Sequence, residues 1–288
     1  MDSIAHKTVL ICIIICLCAG CVKSDKTTSE EPPVNASEGL FKDADIHEQL
    51  IYDSPEIVIK ALSLHMNTES GPVLLIFGEN KSDVDYIVTI KNSSVNNIIV
   101  EPEFEMKLNS NANVISRMVF PEEYLLTANV ETFSSISFTI NITDANGISF
   151  DTDQANIITS MTGVYLQKFS FPGSVVVDTN GVKISVMKKT NEEAVLSKQI
   201  YLYIDNSLPE DIIIETKETL INGIELESMF FHTVYAGKKS IARLSLRDSD
   251  IIENGIVSIE ELIISFRVFS IFGTIINVEG CQITFDKE

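Results

Sequence analysis

The sequence predicts an all-β chain: two tandem immunoglobulin-like antiparallel β-sandwich domains that follow a signal peptide and a flexible tether. Three observations point there. Ile and Val dominate short apolar runs that Asn, Ser, Thr and Asp interrupt, a composition suited to half-buried strands. These runs recur in two sets, so the second half of the chain repeats the first. Four of the five cysteines sit inside "LICIIICLCAGC", residues 10–21, and only Cys281 lies beyond it.

The N-terminus sets the address. Lys7 supplies a short basic start, Thr8 to Cys18 an apolar stretch, and Ala19-Gly20 small residues before Cys21, which is the order of a secretory signal. The apolar stretch falls short of the ~20 residues a spanning helix needs, so residues 1–20 are read as a signal peptide. Ala19-Gly20-Cys21 resembles the lipobox of bacterial lipoprotein signals, with Cys18 in the place usually held by Leu and Leu17 one step earlier. That resemblance implies that Cys21 becomes the mature N-terminus, carries lipid, and anchors an extracytoplasmic protein to the bacterial cell membrane. Cys281 then has no disulfide partner. It alternates with Ile283 and Phe285 in "GCQITF", so it is expected to face a core as a small hydrophobe. Stability must come from burial, for which the chain is long enough.

Residues 21–47 are read as the lipidated cysteine and its tether. The stretch "VKSDKTTSEEPPVNASEGL", 22–40, is too polar to bury surface that offsets its ordering entropy.

The repeat places one sandwich at 48–170 and the other at 171–288. "LIYDSPEIVIKALSL" (50–64) lies over "VVVDTNGVKISVMKK" (175–189), with Asp53 on Asp178. "FGENKSDVDYIVTIKNSSVNN" (77–97) lies over "YIDNSLPEDIIIETKETLING" (203–223) without a gap, with Asn80 on Asn206, Asp85 on Asp211 and Lys91 on Lys217. A third match sets "ETFSSISFTINITDANGI" over "GKKSIARLSLRDSDIIENGI", both ending in Asn-Gly-Ile, at 146–148 and 254–256. Strands are expected at 57–64, 73–79, 85–91, 98–108, 133–142 and 161–170 in the first copy. In the second they are expected at 182–188, 199–205, 211–217, 224–231, 240–247, 261–269 and 274–285. Asn96-Asn97 and Asn222-Gly223 suit tight hairpins that need positive φ. "SDIIENG" reads as a helical turn capped by Ser249 or Asp250 and ended by Gly255.

The motifs "IDNS", "INGI", "AGKK" and "SDIIENGI" of the second copy are similar to signatures of a family of envelope lipoproteins in gut Firmicutes. The first copy departs, with "NVET" where the family has Ala-Gly-Lys-Lys. The resemblance implies tandem immunoglobulin-like domains and an envelope location, and no activity.

A formal net charge of -20 with no basic stripe excludes nucleic acid as a partner. His47, His65 and His232 stand far apart with no metal-ligand spacing, so no metal or cofactor is expected. Asp83/Asp85, Asp151/Asp153 and Asp248/Asp250 are spaced as calcium ligands can be, but none extends into a full calcium loop. Lys238-Lys239 is expected on an exposed hairpin. The third match leaves the first copy with surplus residues within "MKLNSNANVISRMVFPEEYLL", 106–126. Arg117, Met118, Phe120 and Tyr124 cluster there as candidate partner contacts, being residue types common at interfaces. A structural edge hairpin is the alternative. The function expected is a non-catalytic binding or adhesion module held at the membrane by its lipid, with an envelope protein or glycan as partner. The alternatives are a structural spacer or accessory subunit of an envelope complex, and a carboxylate-dependent hydrolase of wall or glycan material, which would need two carboxylates across a cleft.

Overall fold

The computed structural model describes residues 39–190, 198–227 and 230–285, so the signal and Cys21 lie outside the described residues. The chain is all-β. In the first copy, β1 (Gln49–Asp53), β2 (Ile57–His65), β3 (Val73–Asn80) and β7 (Asn113–Val119) form one sheet in that order. The facing sheet runs β4 (Tyr86–Val95), β8 (Ser135–Asp144), β9 (Ser149–Ile158). The short β5 (Ile98–Ile99) and β6 (Met106–Leu108) pair with the free edge of β4. Helix α1 (Glu122–Thr127) joins β7 to β8.

The second copy repeats this order. Here β10 (Ser174–Thr179), β11 (Val182–Thr190), β12 (Lys198–Asn206) and β16 (Lys239–Arg243) face β13 (Ile212–Ile221), β17 (Glu261–Ser270) and β18 (Gly273–Thr284). The short β14 (Ile224–Glu225) and β15 (Phe231–Val234) edge β13, and α2 (Asp248–Glu253) lies between β16 and β17. The strands β2, β3, β7 against β4, β8, β9 match the A, B, E and C, F, G strands of an immunoglobulin-like sandwich, with an added strand before A.

The duplication extends to individual hydrogen bonds. Asn80 Nδ2 donates to the carbonyls of Val84, Leu108 and Asn109, and Asn206 Nδ2 donates to those of Glu210, Val234 and Tyr235. Both asparagines are buried, at 2% and 0% exposure, and each ties three segments of its sandwich together. Asp85 accepts the Ser110 N–H as Asp211 accepts that of Ala236. Asn96 caps the chain at Thr132, Ser134 and Ser135, and Asn222 does the same at Ser258, Glu260 and Glu261. Every pair keeps the offset of Asn206 from Asn80. The hairpin residues Asn96, Asn97, Asn222 and Gly223 all have φ between 52° and 79°.

That constant offset corrects the third sequence match. Residues 106–126 lie against 232–252, with β7 answering to β16 and α1 to α2. The first copy therefore has no surplus segment. The strand expected at 161–170 is also displaced: the last strand of the first sandwich is β9, and 161–171 instead packs Met161, Phe169 and Phe171 against the first core. The strand expected over 98–108 breaks into β5 and β6 around Pro102, which has no N–H to give a ladder. Helix α2 starts after Arg247 with no side-chain cap, so neither Ser249 nor Asp250 is its N-cap. Phe41 and Ala44, expected within the tether, are instead buried in the first core, where Lys42 N–H bonds the Glu131 carbonyl.

Each sandwich has its own core, and the two cores trade residues at the junction. Tyr203 and Ile241 of the second copy join the first core, and Ile99 of the first joins the second. Burial pushes the Tyr203 hydroxyl up to about 12. A single parallel pairing, Lys239 with Ile98, links β16 to β5 and makes one sheet of nine strands across both copies.

Candidate functional site: a cleft at the junction of the two sandwiches

The residues singled out in the sequence do not form an exposed patch. Met118 and Phe120 are fully buried in the first core, where Phe120 packs edge-on against Phe133 with ring centroids 5.0 Å apart. Arg117 is half-buried on β7, and its Nε is buried without a hydrogen-bond partner. Met118 and Phe120 are thus core residues, a correction that follows from strand alternation on β7 and the turn after it. Tyr124 does make a contact between domains: its Oη accepts the Ile241 N–H at 3.0 Å. Burial holds its hydroxyl above the usual range.

Lys238 and Lys239 are also relocated from an exposed hairpin to the junction. Lys238 Nζ donates to Asn97 Oδ1 and Ser137 Oγ, each at 3.1 Å, and burial lowers its pKa. Lys239 gives its N–H to the Asn97 carbonyl, pairs with Asp205, and lies over the Phe169 ring. In the first copy the positions answering to Ala236–Lys239 are Ser110–Asn113, so the lysines appear only where a sister domain must be held.

Beside these contacts opens a cleft of about 460 Å³ with walls from both sandwiches. The first contributes Glu101 and Tyr124, and the second Phe231, His232, Ser240 and Arg243. His232 Nε2 and Ser240 Oγ lie 2.7 Å apart, and Ser240 also touches the Tyr124 hydroxyl, so Tyr124, Ser240 and His232 form a chain along the floor. Phe231, 64% exposed at the rim, alternates with His232 on β15 and meets the Phe269 ring. Glu101 and Arg243 are exposed at the mouth, and Arg243 Nη1 donates to Gln199 Oε1.

The sister copy shows what the fold itself requires at these positions. By the same offset, Glu105, Met106 and Val114 answer to Phe231, His232 and Ser240. The first sandwich fills its corner with a buried Met106 and a Val114 packed on the core, and presents a charge outward. The second has an ordered polar pair where an apolar one suffices, and an exposed aromatic where a charge sits in its sister. Neither substitution favours folding, since burying polar groups costs free energy that their mutual bond only offsets. This swap is the signal a sequence reading needed and lost with the third match.

The arrangement is suited to binding. Ser240 is 1% exposed, so its oxygen is closed to a substrate despite the histidine beside it. Among the described residues Glu101 is the one carboxylate lining the cleft, whereas a paired-carboxylate mechanism needs two. Of the acidic pairs, three aspartates serve turns and ladders: Asp83 accepts from Asn111, Asp85 from Ser110, and Asp151 from Lys91 and Asn141, which hold its carboxyl below the usual range. No group of three or more His, Cys, Asp or Glu suited to a metal occurs among the described residues. Cys281 packs against the second core, and burial pushes its thiol up.

Burial lowers the His232 pKa below 6.5, and Tyr124, Glu101 and Arg243 are the titratable or charged groups lining the same cleft. A depressed folded value means the unfolded chain binds the proton first. The stabilising contribution of neutral His232 is complete above 6.5 and is lost as pH falls from there through the lowered folded value. The chain should therefore unfold at a lower temperature at pH 5 than at pH 7.5. The double variant His232→Met, Ser240→Val, which restores the sister's apolar type, should shrink that difference; calorimetry at the two pH values checks it.

No protein-family model matches the chain, and comparison with curated proteins gives no match.

Proposed function

We propose that the chain is a non-catalytic binding module, exported, anchored by lipid on Cys21, and presenting its two joined sandwiches to an envelope protein or glycan. The junction cleft carries this reading. It lies between domains, has the few hundred Å³ typical of ligand sites, and is lined by the exposed Phe231 and the His232–Ser240 pair, which the sister copy lacks. The lysine, tyrosine and asparagine ties make its two walls one unit, so the site is preorganised.

Two results test the proposal. Cys21→Ser should move the protein from the membrane fraction to the soluble fraction or leave an unprocessed precursor; normal processing with full membrane retention would remove the anchoring. A photo-crosslinking residue at Arg243, on the mouth of the cleft, should yield adducts in intact cells. The same residue at Val257, 87% exposed and outside the cleft, should not. Equal labelling at both sites, or none at either, would count against the cleft as the binding surface.

A further inference from the structure

We infer that the end of the first sandwich where the tether enters is a membrane-contacting surface, which rests the exposed Leu40, Ile158, Val164 and Leu166 on the headgroup boundary of the bilayer that holds the lipid anchor. This rests on the anchoring at Cys21 proposed above and goes beyond it, since an anchor alone leaves the sandwiches free to stand off from the membrane.

The four apolar side chains are 58%, 64%, 75% and 86% exposed in that order. Hydrogen bonds bring their backbones to one end of the sandwich. Two residues after Leu40, Lys42 N–H bonds the Glu131 carbonyl. Two residues after Ile158, Ser160 N–H bonds the Asp45 carbonyl and Ser160 Oγ accepts the Asp45 N–H. Thr162 Oγ1 donates to the Ser134 carbonyl and Gln167 Nε2 to that of Asn129, so the chain on both sides of Val164 and Leu166 is tied to 129–134. The Tyr165 hydroxyl meets the Glu131 backbone as well. Exposure alternates along this stretch: Tyr165, Gln167 and Phe169 are part-buried, and Val164, Leu166 and Lys168 are exposed on the outward side.

Single apolar residues on a surface are ordinary, but several at one end mark a contact. Two features name its occupant. The tether itself, 22–38, is too polar to cover the patch. The described chain begins at Gly39, next to Leu40, and the residues back to Cys21 reach at most ~65 Å when fully extended. An anchor at Cys21 therefore holds this end near a bilayer at high effective concentration, where a modest apolar surface is enough to settle on it. Lys168 suits the same contact, because a lysine lays its stem along apolar surface and keeps its ammonium among the polar headgroups. The far end of the sandwich provides the contrast. Ile148 is 69% exposed there, on the hairpin between β8 and β9, and the ten residues of β9 separate it from the tether end by ~30 Å.

The chain has no tryptophan, so one introduced indole reports its own surroundings. Full-length Leu166→Trp and Ile148→Trp are reconstituted into vesicles of phosphatidylcholine and phosphatidylglycerol, and flotation reports the anchor. Both should float. The indole at position 166 should emit at shorter wavelength than in detergent-free solution of the protein without vesicles, be quenched by lipids brominated in their acyl chains, and be shielded from aqueous iodide. The indole at position 148 should be quenched by iodide and untouched by the brominated lipids, which controls for the preference of indole for interfaces. Adding Leu40→Ser and Val164→Ser should reduce the quenching at position 166 by brominated lipid. If the protein floats while both indoles answer to iodide alone, or both answer equally to brominated lipid, the contact surface is overturned and the anchoring stands. If the indole at position 166 is shielded from both quenchers, a second copy or another protein covers the patch, and the assignment to the bilayer is overturned. If neither variant floats, the anchoring and the contact surface fall together.

Discussion

Asn206→Asp is expected to unfold the second sandwich under conditions where the wild type is stable. The change replaces one heavy atom, the amide nitrogen by an oxygen, and leaves the volume nearly the same, so packing is untouched. It removes the amide that donates to Glu210, Val234 and Tyr235 and turns a carboxylate toward those three carbonyls at a position with 0% exposure. Each buried acceptor left unpaired costs about 1–3 kcal/mol, and an unpaired buried charge adds to that. A loss of about 5 kcal/mol is comparable with the whole stability of a small domain. Asn80→Asp should do the same to the first sandwich through Val84, Leu108 and Asn109. Scanning calorimetry of the full chain should show a strongly lowered transition for either variant, and Asn→Ala at each site a smaller loss. A shift of less than about 1 kcal/mol in both aspartate variants would mean that these asparagines do not hold the loops together.

These asparagines explain why half of the architecture could be read without a structure. A buried Asn that bonds three carbonyls can be replaced by almost nothing, so "EN" and "DN" survive at fixed positions in both copies and align without a gap. The Asn96 and Asn222 hairpins are legible for a like reason, since their backbone needs φ near 52°. The third match failed because one dipeptide meets two different needs. Asn146-Gly147 closes the hairpin between β8 and β9, with Gly147 at φ 81°. Asn254-Gly255 ends α2, with Gly255 at φ 63°, where Gly255 N–H bonds the Ile252 carbonyl and Ile256 N–H bonds that of Ile251. The true counterpart of Gly255 is Asn129, at φ 52° after α1, with Asn129 and Val130 bonded to Leu126 and Leu125 in the same way. Glycine and asparagine are interchangeable in a left-handed cap, so at the cap the real correspondence left no shared letters while a false one did. The cleft was hidden further still. Glu101 and Tyr124 meet Phe231, His232 and Ser240 only because β16 docks on β5, and no periodicity within one sandwich announces a contact between two.

Phe120→Ala is expected to cost about 3–5 kcal/mol, the range for deleting a fully buried aromatic side chain. Phe120 has 0% exposure and loses its edge-on partner Phe133, while its N–H still bonds the Pro72 carbonyl and holds the backbone around the void. The comparison with Tyr124→Phe separates packing of the first core from closure of the junction. That variant keeps the ring and removes only the oxygen that accepts the Ile241 N–H, so it should cost about 1–3 kcal/mol, with the loss falling on the docking of the second sandwich. Leu126→Ala, half-exposed on the same helix, should change stability by about 0.5 kcal/mol or less, once its altered helix propensity is counted. Urea unfolding of the three variants checks the ranking. If Phe120→Ala left the midpoint near wild type, the turn after β7 would have to be a surface element after all, and its aromatic residues would return as candidates for partner contact. The burial of Phe120 and Met118 on both sides of that turn argues for the opposite outcome: 117–124 serves first to close the core and then, through one hydroxyl, to fix where the second sandwich sits.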